Sequence, residues 1–354
     1  MDASSPDPRI DPQVRKILDA MRKADLTPTY DLSPDQARRQ YERLASSRPP
    51  GDARAETEDR TISGGADNAL PIRIYRPSMG IDASIDASVD ASIDASIDAS
   101  IDASIDTSAL PTLLYFHGGG HVVGSIDSHD GVARNLCVGA ACAVVSVDYR
   151  LAPDHRFPAA VEDAFAAYAW CVEEGPRHGL DAQRIAVGGD SAGGNLAAVV
   201  ALMARDAPIP SPCLQLLIYP VTDYAGDSES YRTFARGYGF LEARSMFWFR
   251  DHYLRSEKDR LDWRAAPLRA EDLQGLPSAF VLTAELDILR DEGAAFSDRL
   301  KAAQVKVEYH EIPGMIHGFF TMAPAVDGAV HAQRLACEAL RRAWSMGGED
   351  PEES

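Results

Sequence analysis

Gly189-Asp190-Ser191-Ala192-Gly193 is the stretch on which the reading of this chain turns. Before it, Arg184-Ile185-Ala186-Val187-Gly188 has the composition of a short buried strand. After it, a helical pattern opens at Gly194 and runs through the apolar residues Asn195 to Met203. A serine with glycine two residues to either side, on a turn from strand to helix, has the pattern of a nucleophile elbow. Such a turn strains the backbone so that the hydroxyl is exposed, and the glycines lack the Cβ atoms that would collide there. The N-terminus of the following helix favours negative charge developing beside it. Read alone, the pentapeptide serves equally well as a glycine-rich connection, so the remainder of the chain has to decide.

With 354 residues and 45% hydrophobic content, the chain is long enough for one large α/β domain or two small ones, with a sizeable core. A formal charge of -19 argues against non-specific binding to nucleic acids or anionic membranes, which needs clustered Lys and Arg, so neither is an expected partner. Five cysteines (Cys137, Cys142, Cys171, Cys213, Cys337) lie mostly inside apolar runs, with no C-x-x-C pair and no zinc-ligand cluster. The N-terminal residues lack the basic start and apolar segment of a signal peptide, and no apolar run approaches the roughly 18 residues that span a bilayer. A reduced, cytoplasmic protein without a membrane span is the expectation.

Two amphipathic helices are predicted first, over 11–24 and 33–46, with Ser33 as N-cap and Pro34 at the first helical position of the second. Pro49-Pro50-Gly51 marks a boundary near residue 50. Alternating residues predict strands over 57–62 and 72–75, the first a charged edge strand. Residues 81–108 repeat Ile-Asp-Ala-Ser in seven units with one Val89 and one Thr107 variant. A period of four drifts around a helix and its aspartates repel one another, so a disordered insertion is expected. Spaced aspartates can supply calcium ligands, but the unit lacks the glycines of calcium-binding turn repeats, and no metal site is read there.

Strand then alternates with helix. Strands are predicted at 112–116, 142–147, 214–219, 279–284 and 305–311, and helices at 128–140, 158–174, from 293 to about 303, and 328–344. The first of these strands runs into His117-Gly118-Gly119-Gly120, whose consecutive glycines let the backbone turn its N–H groups toward one point, as an oxyanion hole requires. His117 and His121 share a metal-ligand spacing, but the three glycines between them argue against the helix such a site needs. Between 224 and 264 the alternation stops, and an aromatic-rich segment with a helix over 242–254 interrupts it. Most of these aromatics read as packing residues, and a lid over the strand ends is the functional reading. Residues after Gly347 read as a frayed acidic tail.

Ser191, Asp287 and His317 each follow a predicted strand. In an open parallel sheet the carboxyl ends of strands share one edge, so the three can meet. Their order, Ser then Asp then His, is the α/β-hydrolase order. The chain resembles the bacterial hormone-sensitive-lipase family of esterases. The resemblance rests on His117-Gly118-Gly119-Gly120, Tyr149-Arg150-Leu151-Ala152-Pro153, Gly189-Asp190-Ser191-Ala192-Gly193-Gly194, the stretch Asp287 to Gly293, and Gly314-Met315-Ile316-His317-Gly318-Phe319. It spans nearly the whole chain apart from the repeat.

The resemblance implies an α/β-hydrolase fold, a mostly parallel sheet of about eight strands flanked by helices, with a helical cap made by residues 1–50 and 224–264 on a catalytic domain of 51–346. It implies Ser191 as nucleophile, His317 as general base and then acid, Asp287 as the orienting carboxylate, and an oxyanion hole from Gly119, Gly120 and the N–H of Ala192, supported by His117 and Gly118. Asp291 is the rival acid, read instead as a cap on the helix it opens, and Asp190 is read as structural. Three positions depart from the family pattern: His121 where an aromatic is frequent, Asp154 where glutamate is usual, and Ile288 where proline is common.

The expected activity is hydrolysis of short- to medium-chain carboxylic esters through an acyl-enzyme, with no metal or organic cofactor. Plant gibberellin receptors share the fold and motifs but lose the histidine, and His317 therefore favours an enzyme. Amide or carbamate hydrolysis stays open, because the same acyl-enzyme serves it. A homodimer is the one assembly allowed for.

Overall fold

The computed structural model describes residues 7–78 and 109–346. The repeat at 81–108 and the acidic tail at 347–354 lie outside the described residues. In chain order the first half comprises α1 (Pro12–Lys23), α2 (Pro34–Ser46), β1 (Ala55–Ser63), β2 (Ala69–Pro77), β3 (Leu110–Phe116), α3 (Asp130–Ala140), β4 (Ala143–Val147) and α4 (Ala159–Glu173). The second comprises β5 (Leu180–Asp190), α5 (Ala192–Arg205), β6 (Leu214–Ile218), α6 (Glu229–Thr233), α7 (Ala243–Tyr253), β7 (Ser278–Leu286), α8 (Arg290–Ala302), β8 (Val307–Ile316) and α9 (Asp327–Met346).

The strands form a single sheet in the order β1-β2-β4-β3-β5-β6-β7-β8. β1 pairs antiparallel with β2 and β2 antiparallel with β4, and every pairing from β4 to β8 is parallel. Parallel strands carry helices on both faces, which is why the central ones read as continuous apolar runs. Leu113 to Phe116 of β3, Ala143 to Val147 of β4 and Leu214 to Ile218 of β6 are all buried. β1 carries Glu56, Glu58, Asp59 and Arg60 and holds the sheet edge, where charge discourages further pairing. At α2, Gln36 N–H donates to Ser33 Oγ (3.4 Å) and Ser33 N–H to Gln36 Oε1 (3.0 Å), a capping box with Pro34 in the first turn.

Several strands run longer than the sequence reading, β1, β2 and β5 among them, and two of the differing boundaries lie at the functional edge. β5 continues to Asp190 and α5 begins at Ala192, so the helix opens two residues before Gly194 and Ser191 alone makes the turn. β8 runs past Glu311, through Pro313 and Gly314, to Ile316. Pro-Gly reads locally as a stop, but here Gly314 forms a bulge with φ +70°. The bulge is held from outside the strand: Gly314 N–H donates to Glu285 Oε2 (2.8 Å), and Gly314 O accepts from Asp11 N–H (3.0 Å).

Tyr149-Arg150-Leu151-Ala152-Pro153 leaves β4 toward the same edge. Asp163 on α4, fully buried, accepts from Arg150 N–H, Nε and Nη2 and from Gly65 N–H, each at 2.9 Å. One carboxylate thus ties α4, the loop after β4 and the turn before β2. Asp163→Ala is expected to destabilise the fold by about 3 kcal/mol, because four donors lose their buried acceptor and Arg150 keeps only the more exposed Glu162 (3.3 Å) and the Ala159 carbonyl (3.2 Å), and urea unfolding measures the loss.

The loop after β3 is also buried. His117 stacks on Tyr149 with ring centroids 4.4 Å apart, and His121 on Tyr253 at 3.9 Å. Burial pushes both imidazoles down to about 3. Unfolded, each takes a proton below about 6.5, whereas folded it stays neutral until near its depressed value. The unfolded state therefore binds more protons in that window, and stability falls as pH drops through it. Each histidine is expected to cost about 2 kcal/mol between pH 7 and pH 5. His121→Phe, which keeps the stack, should remove one such share when urea unfolding is compared at the two pH values.

Candidate active site

Ser191 stands between β5 and α5 with φ +57° and ψ −117°, a backbone conformation costing of order 1–3 kcal/mol. Tertiary partners hold it there. Its N–H donates to Ile218 O (2.8 Å), and its carbonyl accepts from Val221 N–H (3.1 Å), both at the end of β6. Gly193 packs so closely under the end of β3 that a Cβ would overlap the Phe116 carbonyl, so no other residue fits.

His317 follows β8 and Asp287 follows β7. His317 Nε2 lies 3.0 Å from Ser191 Oγ, and Nδ1 lies 2.7 Å from Asp287 Oδ2. The other Asp287 oxygen accepts from Leu289 N–H (2.9 Å). With Asp287 as a pure acceptor, the imidazole proton belongs on Nδ1, which leaves Nε2 to accept from the serine hydroxyl. All three residues are buried, and the Tyr219 ring packs 4.6 Å from that of His317.

The glycine triplet passes directly beside this group. Gly119 (φ +123°) and Gly120 (φ +60°) line the same cavity as Ser191 and His317, and Ala192 is the first residue of α5. The loop is braced from three sides. Tyr149 OH donates to His117 O (2.8 Å) and Ala152 N–H to His121 O (2.8 Å). Arg38 on α2 reaches Val122 O (2.9 Å), Ala152 O (2.8 Å) and Asp154 (2.7 Å). The third brace is Asp190, whose Oδ1 accepts from Tyr115 OH (2.8 Å) and Gly118 N–H (3.0 Å), with His129 Nε2 at 3.4 Å. Burial pushes the Asp190 carboxyl up, but His129 and Tyr115 outweigh it and hold the group at about 2. Asp190 thus joins the elbow to the glycine loop; no local pattern signals its partners Tyr115 and His129.

A cavity of about 110 Å³ opens onto Ser191. Its walls come from Tyr41 and Leu44 of α2 and from Phe240, Leu241, Met246 and Phe249 of the aromatic-rich segment, together with Val123 and Val221. Most other aromatics of that segment are packing residues: Tyr231, Phe234 and Tyr253 are buried in the core. Arg48, Thr29 and Thr321 also line the cavity and carry no motif that the sequence could have flagged.

Asp291 lies in the first turn of α8 but does not cap that helix, whose N-cap is Leu289. Its carboxylate accepts instead from Ser230 N–H of α6 (2.7 Å) and pairs with Arg290 (2.9 Å). The contact crosses from one segment to another, so the sequence could not reveal it. Among the described residues, no group of three or more His, Cys, Asp or Glu is placed to hold a metal ion, and no helix is long and apolar enough to cross a membrane.

Comparison with known proteins agrees with this architecture. A family described as having the alpha/beta hydrolase fold matches residues 113–321. The chain is 37% identical over 333 residues to the ethyl acetate hydrolase of Pseudomonas putida, covering 92% of this chain and 96% of that protein. It is 36% identical over 342 residues to the carboxylesterase NlhH of Mycobacterium tuberculosis, covering 95% and 97%. Among solved structures, a thermostable esterase from Pseudomonas putida ECU1011 superposes with a TM-score of 0.84 at 35% identity, covering 96% of this chain and 99% of that one. The matched sequence, the parallel sheet and the serine turn at its carboxyl edge lead to one assignment: the chain belongs to the α/β-hydrolase fold family, in its hormone-sensitive-lipase-like branch of carboxylesterases.

Proposed function

We propose that this chain is a serine carboxylesterase that forms an acyl-enzyme on Ser191, with His317 as general base and then acid and Asp287 orienting the imidazole. The observation that carries the reading is the unbroken pair of contacts from Ser191 Oγ through His317 to Asp287, at 3.0 and 2.7 Å, on a strained elbow beside the glycine loop. As Oγ attacks the ester carbonyl, its proton passes to Nε2, and the buried Asp287 stabilises the imidazolium that forms. Charge then develops on the carbonyl oxygen, which the N–H groups of Gly119, Gly120 and Ala192 would receive, with Asp190 holding the adjoining Gly118 amide in place. The same histidine returns its proton to the leaving alcohol and activates the water that releases the acid.

Residues 1–50 and 224–264 serve as the cap, since α2 and the Phe240–Phe249 stretch supply most of the apolar wall. The small cavity supports short to medium acyl chains, in keeping with the name of the Pseudomonas putida relative, an ethyl acetate hydrolase. Five unpaired cysteines, four of them buried, support a reducing cytoplasmic location. Sedimentation velocity distinguishes the homodimer from a monomer.

Ser191→Ala should lower kcat by about 10⁶-fold, and Asp287→Asn by about 10⁴-fold through loss of the correct tautomer. Asp291→Asn, which leaves the partner of His317 in place, should have far less effect. Turnover surviving Ser191→Ala would move the nucleophile elsewhere. In a chromogenic ester series from short to long acyl chains, kcat/KM should peak among the shorter members, and a steady rise toward the longest would contradict the cavity reading.

A further inference from the structure

Arg48 stands two residues beyond the end of α2, on the wall of the cavity that contains Ser191 and His317. Among the described residues it is the one arginine on that wall, no lysine joins it, and the wall is otherwise mostly apolar. Its polar contacts are with neutral groups, the Ser128 carbonyl at 3.3 Å and the Tyr41 side chain, whose ring centroid lies 5.7 Å from the guanidinium carbon. Arg48 also borders a neighbouring polar cavity of about 320 Å³ lined by Asp127 and Asp130. Those acids are already engaged: Asp127 with Arg73 at 2.7 Å, and Asp130 with Arg134 at 2.6 Å and Arg73 at 3.4 Å. Among the described residues, no carboxylate lies within ion-pair distance of Arg48. The one carboxylate on the active-site wall, Asp190, is taken by Tyr115 and the Gly118 amide.

A cation on a largely apolar wall, in a strongly acidic protein and without a fixed counter-ion, is stabilised when an anion enters the cavity. Guanidinium is the side chain best shaped to hold a carboxylate through two parallel hydrogen bonds. We propose that Arg48 is a specificity-determining residue that selects esters carrying a free carboxylate. This rests on the esterase reading above and narrows its substrate class. Arg48 acts on binding and takes no part in the bond changes at Ser191.

The test compares wild type, Arg48→Met and Arg48→Lys on two matched pairs, followed by acid release. Monoethyl succinate against ethyl butyrate places the carboxylate on the acyl side, and 4-acetoxybutyrate against butyl acetate places it on the alcohol side. In one pair, the anionic-to-neutral ratio of kcat/KM should fall at least about tenfold in Arg48→Met, chiefly through KM, and recover in part in Arg48→Lys. The pair that responds identifies the side. With wild type alone, added salt should raise KM for the anionic member of that pair and not for its neutral partner, which keeps the proposal testable should a variant fail to fold. Unchanged ratios in both pairs, or KM insensitive to salt, overturn the role of Arg48 and leave the esterase reading standing. Wild type that hydrolyses none of the four esters overturns both.

Discussion

Ser191 can hold a left-handed backbone only because the end of β6 grips it from one side and nothing larger than hydrogen stands at Gly193 on the other. The rest of the site follows from that constraint. The close approach of α5 to the end of β3 brings the glycine loop beside the serine, and the parallel register of β6, β7 and β8 brings Asp287 and His317 to the same edge. Strain of this kind persists only where surrounding structure over-determines it. Here the surroundings are the most deeply buried strands of the sheet.

The interior charges serve the same end. Asp190 and Asp163 are buried carboxylates, and each gathers donors from separate segments. Asp190 joins the elbow to the glycine loop, while Asp163 fixes the loop whose Tyr149 and Ala152 brace that loop from behind. Arg38 extends the bracing outward to α2. A buried carboxylate without its donors is costly, so these links hold the loop geometry in place while leaving the apolar cavity open for an ester. Depressed basicity at His117 and His121 keeps positive charge out of the same layer.

Much of this was legible in the chain. Buried parallel strands leave continuous apolar runs, amphipathic helices leave a helical period, and Ser33-Pro34 leaves a cap, so the type and order of the sheet strands and of the longer helices could be read directly, whereas the short α6 could not. The misreadings fall where a distant partner overrules a local signal. Pro313-Gly314 signals a stop, yet Glu285 and Asp11 hold it inside β8 as a bulge. Asp291 sits at a helix start, yet its carboxylate serves Ser230 on another helix. His129 beside Asp190, and Arg48 on the cavity wall, belong to no local pattern at all.

The sequence by itself determined the residue types that the chemistry needs: a serine between glycines, a glycine triplet after a strand, and an aspartate and a histidine in the α/β-hydrolase order. Each is signalled by its own few neighbours, through backbone conformations that few other residues adopt. Only the tertiary structure decided which groups meet. Ser191 and His317 are 126 residues apart and come within 3.0 Å through strand register. Arg48 reaches their cavity because α2, through Tyr41 and Leu44, forms part of its wall. Side-chain distance between remote segments is set by the packing of whole elements, and no local stretch encodes it.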